Sequence, residues 1–597
     1  MQRVVVTDCG STTTKALLFE KGEKGWYFRA RGEAPTTVEQ PVANVTVGVT
    51  NAFSELEELS HLPLFDRSSF PPFFAPAKDS SGLDLYLSTS SAGGGLQMMV
   101  AGLVAHLTTE SAERAALGAG AIVIDSVSAD DGRTDHERVE KIRSVRPDIF
   151  LLCGGIEGGA IAQVVETAEL LLAAAPRPRF GDTLSLPIIF AGNSAAADEV
   201  SRILSPLGPV TIVANVRPEL EKEDLGPARE AIHEFFLSHV MSHSPGYGTL
   251  MSWASRPIMP TPLAVGTMID TYATKCNEQI VAVDIGGATT DVFSSCIDHK
   301  QERILTRTVS ANLGMSYSIG NVLLEAGIAS IARWLPFVAD HKDLRNRLRN
   351  KMIRPTTIPQ TLDDLFLEQA VCREALRLSF AHHCSLAISV HTADKGREIG
   401  RAFEQESGNN LVSLLEIDTV IGSGGVISHA PQRSQAALMM IDGLGVEGVT
   451  RLLVDSVFML PHLGVFSTVE PIGASDILER DCLIHLGYCI APIFSIRSKQ
   501  GTELGEIIID KSAPSHKFRV GDFFVIPLTE GEHLLQINPS AQVNVGNGNG
   551  IAVEKQIIGG GCGLIIDCRG RPLRPDPDPT LQADIHRNVM AALGISA

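Results

Sequence analysis

Two short stretches of this chain decide its fold, because each repeats the pattern of the other. Residues 8–15 read Asp-Cys-Gly-Ser-Thr-Thr-Thr-Lys, and residues 284–291 read Asp-Ile-Gly-Gly-Ala-Thr-Thr-Asp. Four of the eight positions are identical, and the second stretch begins 276 residues after the first. Each stretch follows an apolar run and precedes another β-type run. The sequence therefore predicts two copies of one strand–turn–strand unit.

The residues of these turns indicate phosphate binding. Gly10, and the pair Gly286 and Gly287, allow a tight turn whose successive backbone N–H groups point at one anion. Small hydroxyl side chains such as Ser11 add donors without filling the space. A carboxylate at the strand end would repel that anion unless a divalent cation lies between them. One turn alone is equally typical of Asp and Thr side chains that satisfy local backbone groups, whereas two copies favour a Mg-nucleotide held between two lobes.

A third glycine-rich turn follows a later strand candidate. The apolar run at 414–421 leads into Gly422-Ser423-Gly424-Gly425. Paired glycines at this position would let the backbone pack against a flat ligand such as adenosine. Turns of this kind are common between strands and helices, so this one gains weight only from the two phosphate loops.

The composition is typical of a large globular protein. The chain has 597 residues, 44% hydrophobic and 20% charged, a length that suggests about four domains. The formal net charge of −19 disfavours nucleic acid or an anionic membrane as a partner. The ten cysteines form no C-x-x-C pair, which favours buried thiols over a disulfide or zinc framework. Because no signal peptide or membrane-spanning run is recognisable, we expect a soluble cytoplasmic protein.

Changes in pattern along the chain divide it into four predicted parts. Residues 1–75 and 251–496 mix β-type runs with helices and contain the three glycine-rich turns. Residues 76–250 repeat strand, glycine turn and helix, which is typical of a parallel α/β unit. Residues 497–597 contain short β-type runs broken by Gly and Asn. The predicted fold class is α/β: a duplicated core, an α/β domain inserted between its halves, and a β-rich C-terminal domain.

The motifs resemble those of a known superfamily. The two phosphate loops and the Ile-Gly-Ser-Gly-Gly turn at 421–425 are similar to the phosphate and adenosine motifs of the actin, sugar kinase and heat-shock chaperone ATPases. The resemblance implies an actin-like (ribonuclease H-like) ATPase core that binds ATP or ADP with Mg²⁺. More closely, the chain resembles the glutamate-mutase accessory proteins of the MutL/GlmL family, with further matching segments at 88–94, 114–120, 146–149, 191–193, 259–262, 481–484 and 563–567.

The resemblance also implies roles for individual residues. Asp8 and Asp284 match the carboxylates that organise Mg²⁺, and Asp291 matches a carboxylate that orders the attacking water. One position departs from the chaperone ATPases, because Met259 stands where they carry an acidic residue, and fast hydrolysis is therefore in doubt. The residues matched to phosphate and adenosine contacts are Gly10, Ser11, Thr12, Thr13, Lys15, Gly286, Gly287, Thr289, Thr290, Gly422, Gly424 and Gly425.

The implied function is that of an ATP-dependent accessory or reactivating chaperone for an adenosylcobalamin-dependent mutase such as glutamate mutase. Two alternatives stay open: a nucleotide-binding assembly subunit that scarcely hydrolyses ATP, and a small-molecule kinase on the same scaffold. The sequence contains no G-x-x-x-x-G-K-[ST], H-E-x-x-H or G-x-S-x-G motif, so P-loop, zincin and α/β-hydrolase chemistry lack support. Asp584-Ile585-His586 lacks the glycine of the cobalamin-binding pattern D-x-H-x-x-G, so we do not expect this chain itself to bind cobalamin.

Overall fold

The computed structural model describes residues 2–10, 12–66, 68–75, 81–91, 96–179, 185–220, 222–241, 244–389, 409–495 and 497–596. The chain divides into two compact units. Unit 1 comprises Met1–Lys275, Ile388–Asn409 and Met459–Asp481, and unit 2 comprises Cys276–Ala387, Asn410–Phe458 and Cys482–Ala597. The four predicted parts are therefore distributed over two units.

The strands of the described residues are numbered in chain order. They are β1 (Arg3–Cys9), β2 (Thr13–Gly22), β3 (Gly25–Pro35), β4 (Leu85–Ser90), β5 (Gln97–Gly102), β6 (Ile122–Ser128), β7 (Ile149–Leu152), β8 (Ile188–Phe190), β9 (Val210–Ile212), β10 (Met259–Pro260), β11 (Ile280–Ile285), β12 (Thr290–Ile297), β13 (Arg303–Ser310), β14 (Ile388–Ser389), β15 (Asn409–Asn410), β16 (Thr419–Ser423), β17 (Gly448–Asp455), β18 (Leu483–Ala491), β19 (Glu503–Ile509), β20 (Ser512–Arg519), β21 (Phe523–Ile526), β22 (Glu532–Pro539), β23 (Val553–Ile558) and β24 (Leu564–Asp567).

The α-helices are numbered in the same way. They are α1 (Val45–Ser60), α2 (Glu110–Gly118), α3 (Asp135–Ser144), α4 (Ala162–Ala174), α5 (Ala197–Leu204), α6 (Gly226–Phe235), α7 (Tyr247–Trp253), α8 (Thr261–Cys276), α9 (Ile319–Ala326), α10 (Ile328–Ala332), α11 (His341–Ile353), α12 (Leu362–Leu386), α13 (Gly425–Ser428), α14 (Arg433–Leu444), α15 (Leu460–Ser467), α16 (Pro471–Ile477) and α17 (Pro579–Ala592). Among the described residues, none of these helices combines the length and the apolar character that crossing a membrane requires.

The first sheet of unit 1 carries the first predicted phosphate loop. Its strands lie in the order β3-β2-β1-β4-β10. Strands β1, β2 and β3 are antiparallel neighbours, and β4 runs parallel to both β1 and β10. Val4, Val5 and Val6 are fully buried, as the central position of β1 in the sheet requires.

The second sheet of unit 1 is the predicted inserted α/β unit. Its five strands are all parallel and lie in the order β6-β5-β7-β8-β9, the arrangement of a doubly wound fold, with helices in the connections. The insertion begins later than the predicted boundary at residue 76, because β4 belongs to the first sheet. The run at 85–87 has the composition of a strand, but its sequence does not reveal which sheet it joins.

The main sheet of unit 2 repeats the first sheet of unit 1. Strands β11, β12 and β13 are antiparallel neighbours, and β11, β16 and β17 are parallel, so the order β13-β12-β11-β16-β17 matches β3-β2-β1-β4-β10. The predicted duplication is confirmed at the level of strand order and direction. Each half has the ribonuclease H-like arrangement expected of an actin-like core.

The C-terminal residues are rich in strands, as predicted. Strands β19, β20, β22 and β23 form a separate antiparallel sheet in the order β20-β19-β22-β23. Strands β18, β24 and β21 instead extend the main sheet of unit 2 beyond β17. The predicted boundary at residue 497 therefore separates strands that belong to one sheet.

Two helices of unit 2 begin at side chains that cap them. The Asp340 carboxylate accepts a hydrogen bond from the N–H of Lys342 at the start of α11, and the Thr361 hydroxyl accepts one from the N–H of Asp364 at the start of α12. Such caps satisfy N–H groups that the first turn of a helix leaves unpaired. The caps fix where the intervening segment 354–361 begins and ends, and this segment forms part of the site described below.

Candidate functional site

The first phosphate loop is the turn between β1 and β2. The N–H of Gly10 donates to the carbonyl oxygen of Thr13 at 3.1 Å, which closes the turn. A Cβ on Gly10 would lie 2.8 Å from that oxygen, so the close approach requires glycine. Thr36 supports the turn, because its N–H donates to the Thr12 carbonyl at 2.9 Å and its hydroxyl donates to the Gly10 carbonyl at 2.8 Å. Thr12 is exposed, and Ser11 lies outside the described residues.

Asp8 lies near the end of β1, two residues before Gly10. Its Oδ1 atom accepts hydrogen bonds from the hydroxyls of Thr89 at 2.8 Å and Thr261 at 2.7 Å. Because both bonds use one oxygen, the carboxylate is oriented, while Oδ2 accepts no hydrogen bond from the described part of the chain. Lys15 is the cross-strand partner of Asp8, so the two side chains share one face of the hairpin. Neither threonine was predicted as a partner of Asp8, because each comes from a distant part of the sequence.

A buried histidine lies near Asp8 in the same unit. His462, in α15, is 1% exposed. Burial lowers the pKa of His462 to about 4, and the negative charge of Asp8 opposes that shift. The imidazole is therefore neutral at neutral pH. Sequence reasoning missed His462, because nothing in its local pattern distinguishes it from a core residue.

The second phosphate loop repeats the first turn between β11 and β12. The N–H of Gly286 donates to the carbonyl oxygen of Thr289 at 2.8 Å, the counterpart of the bond that closes the first loop. The carbonyl oxygens of Gly286 and Gly287 accept hydrogen bonds from the N–H groups of Met315 and Ser316, at 2.9 Å each. With these carbonyl oxygens engaged, the turn presents less negative charge to an incoming phosphate.

The charged residues of the second hairpin differ from those of the first. The cross-strand partner of Asp284 is Asp291, a second carboxylate where the first hairpin has a lysine. Arg307 of β13 is 5% exposed, and its Nε and Nη2 atoms both donate to Oδ1 of Asp291, at 3.0 and 2.6 Å. This ion pair could not be predicted from the motif, because it depends on the register between β12 and β13.

Packing places two of the predicted contact residues in the interior. Thr290 is fully buried, and its hydroxyl donates to the carbonyl oxygen of Leu313. Gly422 is buried, and a Cβ on it would lie 2.5 Å from the sulfur of Met440. A phosphate or an adenosine cannot reach either side of these residues without displacing the core. Their part in the fold is to keep the backbone close-packed behind the turns.

The two following glycines have different surroundings. Gly424 has a φ of +102°, a conformation that favours glycine, and a Cβ there would clash with the carbonyl oxygen of Ile285. Gly425 is exposed, and a Cβ on it would meet no atom within 4 Å. Gly424 therefore sets the path of the backbone, while Gly425 opens to a cavity.

This cavity of ≈ 550–1,000 Å³ scale is where two of the predicted motifs meet: its volume is ≈ 750 Å³, and Gly286, Gly287 and Gly425 all line it. The volume lies within the range of about 300–1,000 Å³ usual for small-molecule sites. Most of the remaining wall was not identified from the sequence. It includes the segment 355–362 and side chains of α11, α12 and the α13 region, namely Lys351, Leu365, Glu368, Val426 and His429. The irregular Pro-Thr-Thr-Ile-Pro stretch at 355–359 was the available signal.

One ion pair stiffens the wall of this cavity. Lys351 Nζ donates to Glu368 Oε1 at 2.5 Å and also to the carbonyl oxygen of Thr357. Burial raises the pKa of Glu368, and the lysine opposes that effect. The pair joins α11 to α12 and to the segment between them. The shape of the cavity therefore depends on how these two helices are held together.

The described residues contain no cluster of three or more His, Cys, Asp or Glu side chains that could hold a metal ion. Magnesium nevertheless often binds through one or two carboxylates together with waters and substrate phosphates. The oriented Asp8 carboxylate, with Oδ2 outside its hydrogen bonds to Thr89 and Thr261, fits that kind of coordination. The donor set thus suits a magnesium ion that arrives with a nucleotide.

The repeated sheets, each with a carboxylate-bearing turn after its central strand, define an actin-like ATPase fold with a duplicated core. The MutL protein family matches residues 4–482. The chain therefore belongs to the MutL family, as its motifs predicted.

Individual relatives are more distant. Protein MutL of Clostridium tetanomorphum is 27% identical over 503 residues, which cover 80% of this chain and 99% of that protein. A nucleotide-free acetone carboxylase structure is 13% identical with a TM-score of 0.30, covering 78% of this chain and 70% of the other. A nucleotide-free diol dehydratase-reactivating factor is 11% identical with a TM-score of 0.27, covering 78% and 99%. At these TM-scores the fold assignment rests on strand order, not on the two structures.

Proposed function

We propose that this chain binds Mg-ATP and acts as an ATP-dependent accessory or reactivating chaperone for an adenosylcobalamin-dependent mutase such as glutamate mutase. The observation that carries the nucleotide part is the ≈ 750 Å³ cavity lined by Gly286, Gly287 and Gly425. Membership of the MutL family supports the client part. A cytoplasmic location belongs to the same proposal, because ATP and such a mutase are found together there.

In this proposal the cavity of unit 2 takes the adenosine, and the turns take the phosphates. Gly425 lets the nucleoside approach the backbone, and Thr289 offers a hydroxyl that is partly exposed. Asp8 and Asp284 hold Mg²⁺, which when bound neutralises phosphate charge. The remaining proposed phosphate contacts are Gly10, Ser11, Thr12, Thr13, Lys15, Gly286 and Gly287.

We infer that hydrolysis is slow in the absence of a client. Asp291 is the residue matched to ordering of the attacking water, and one of its oxygens is already engaged by Arg307. Met259 replaces an acidic residue next to Thr261. Phosphoryl transfer depends on positioning and on charge stabilisation, so the loss of one positioning group slows it. ATP would act on a client only through its different affinities for two states of the chain.

Phosphate release, measured with and without purified glutamate mutase, tests this function. We expect tight binding of Mg-ATP, low basal release, and release that increases when mutase carrying damaged cobalamin is added. ATP binding without any release would favour the assembly subunit, the second candidate, which Met259 and the Asp291–Arg307 ion pair support. ADP formation that requires a small acceptor molecule would favour a kinase and would contradict the chaperone.

A further inference from the structure

Exposed apolar side chains are concentrated in one part of unit 2. Seven of the nineteen large hydrophobic residues that are exposed in the described structure lie between residues 317 and 362. Among them, Leu324 is 81% exposed and Ile353 is 72% exposed. Scattered single residues of this kind are normal on a protein surface, but a concentration of them marks an interaction site.

Two helices bring several of these side chains together. Tyr317, Gly320 and Leu324 have the 3–4-residue spacing that places them on one side of α9 and the residues just before it. A Cβ on Gly320 would lie 2.8 Å from the sulfur of Met352, at the end of α11, so this side of α9 contacts α11. Ile353 follows directly on α11. The exposed side chains of the two helices therefore form one continuous patch.

The same patch is strongly basic. Residues 341–354 contain six Lys and Arg residues but one acidic residue, Asp343, in a chain whose net charge is −19. Leu344 and Leu348 of α11 are buried, which leaves Arg345 and Arg349 exposed on its outer side. In the described part of the chain no carboxylate forms an ion pair with Arg345, Arg349 or Arg354. These charges are available to a partner.

A groove lies beside this patch. Its volume is ≈ 550 Å³, and Ile319, Leu348, Ile353 and Ile358 line it together with the cation of Arg354. The groove and the nucleotide cavity share a wall, made of Lys351, Glu368 and the segment 357–360. A ligand that moves this wall from one side alters the shape of the other side.

We propose that this surface, defined by Tyr317, Leu324, Arg345, Arg349, Ile353 and Arg354 and called here the α9–α11 surface, binds an acidic segment of the client that also carries apolar side chains. The apolar side chains of that segment would enter the groove, as in helix-in-groove recognition, and its carboxylates would meet the three arginines. This inference rests on the proposed function, because the partner is the client mutase. It adds the surface, the chemistry of the client segment, and a dependence of client binding on the nucleotide through the shared wall.

The test uses the full chain and purified glutamate mutase, with affinity measured by isothermal titration in the presence of Mg-ATP and of Mg-ADP. We expect Arg345→Glu with Arg349→Glu to weaken mutase binding at least tenfold, and Ile353→Asp to weaken it to a similar degree. The affinity of the unmodified chain should fall as salt is raised and should differ between the two nucleotides. None of the three residues lines the nucleotide cavity, so nucleotide affinity should stay unchanged in the variants.

Matched controls come from exposed residues elsewhere in unit 2. Lys499→Glu with Arg519→Glu makes the same charge change, and Ile551→Asp changes a residue that is 53% exposed. These controls should leave mutase affinity within twofold of the unmodified chain. Equal binding by the α9–α11 variants and the unmodified chain would overturn the inference and leave the proposed function standing.

The other outcomes are also decisive. If the unmodified chain does not bind the mutase at all, the proposed client role fails and the inference fails with it. If sedimentation shows that the unmodified chain self-associates and that the α9–α11 variants are monomeric, the surface binds a second copy and the client assignment is wrong.

Discussion

The two phosphate hairpins share a backbone and differ in charge. Both close through the same hydrogen bond, from Gly10 to Thr13 in one and from Gly286 to Thr289 in the other. In the first hairpin the carboxylate, Asp8, faces a lysine across the strands and is oriented by two threonine hydroxyls. In the second, the carboxylate faces another carboxylate, which an arginine binds. Duplication has kept the turn that offers N–H groups, while the charges around it have diverged.

The largest effect is expected from the carboxylates that both hairpins keep. Asp8→Asn and Asp284→Asn should each weaken Mg-ATP binding by about 100-fold or more, because each removes a charged oxygen ligand from magnesium. Binding of ATP is measured with and without Mg²⁺, and the exposed-site variant Asp522→Asn serves as control. If affinity survives in both variants, the carboxylates do not have the roles proposed here.

The next effect concerns the charge that is specific to the second hairpin. Arg307→Met removes the two donors to Asp291 and should lower the free energy of unfolding by about 2–3 kcal/mol, because it leaves a partly buried carboxylate without this cation. Chemical denaturation measures the change. The double variant Arg307→Met with Asp291→Leu should recover part of the loss. No destabilisation by Arg307→Met would mean that the ion pair contributes nothing to the hairpin.

The glycines of the third turn should separate binding from folding. Gly425→Val fills open space in the cavity and should weaken ATP binding about tenfold with little change in thermal stability. Gly424→Ala places a Cβ at a φ of +102° and against a backbone oxygen, so it should cost about 1–3 kcal/mol of stability. Thermal unfolding and nucleotide titration of both variants check the contrast. The same phenotype in both would show that the two glycines do not differ as described.

The smallest effect concerns pH, and it compares the halves directly. Each half has a buried neutral histidine: burial lowers the pKa of His462 in unit 1 to about 4 and of His383 in unit 2 to about 3. The unfolded chain takes up these protons near pH 6.5, before the folded chain does, so stability is complete above that pH and falls as pH decreases towards 4. At pH 5.5 the loss should be about 1 kcal/mol per histidine.

Variants without the titrating ring test this account of the pH dependence. His462→Gln and His383→Gln should each flatten the decline of unfolding free energy between pH 6.5 and 5, whatever their effect at pH 7.5. The exposed His136→Gln is the matched control and should leave the slope unchanged. An unchanged slope in both buried-site variants would contradict the pH account.

Local patterns predicted what local chemistry determines. The turns at Gly10 and Gly286 were predictable because their strand, glycine and carboxylate lie within eight residues of sequence. The repeated strand order followed from the same duplication. The hydroxyls that orient Asp8, at Thr89 and Thr261, were not predictable, because they come from strands and helices far along the chain.

Packing decided the parts that the sequence could not. Among the glycines at 422–425, only tertiary neighbours distinguish Gly422, which lies against Met440, from Gly425, which opens to the cavity. The boundary at residue 76 was set too early because a strand such as β4 has no local feature that names its sheet. The wall at 355–362 has no regular pattern, so only the structure could assign it to the site.

The central claim is that the two hairpins serve one nucleotide, and isothermal titration of Mg-ATP into the full chain tests it most directly. The account predicts one ATP bound per chain, with binding that requires Mg²⁺ and that is weakened by Asp8→Asn and by Asp284→Asn separately. Two ATP molecules per chain, or binding that neither substitution affects, would contradict it.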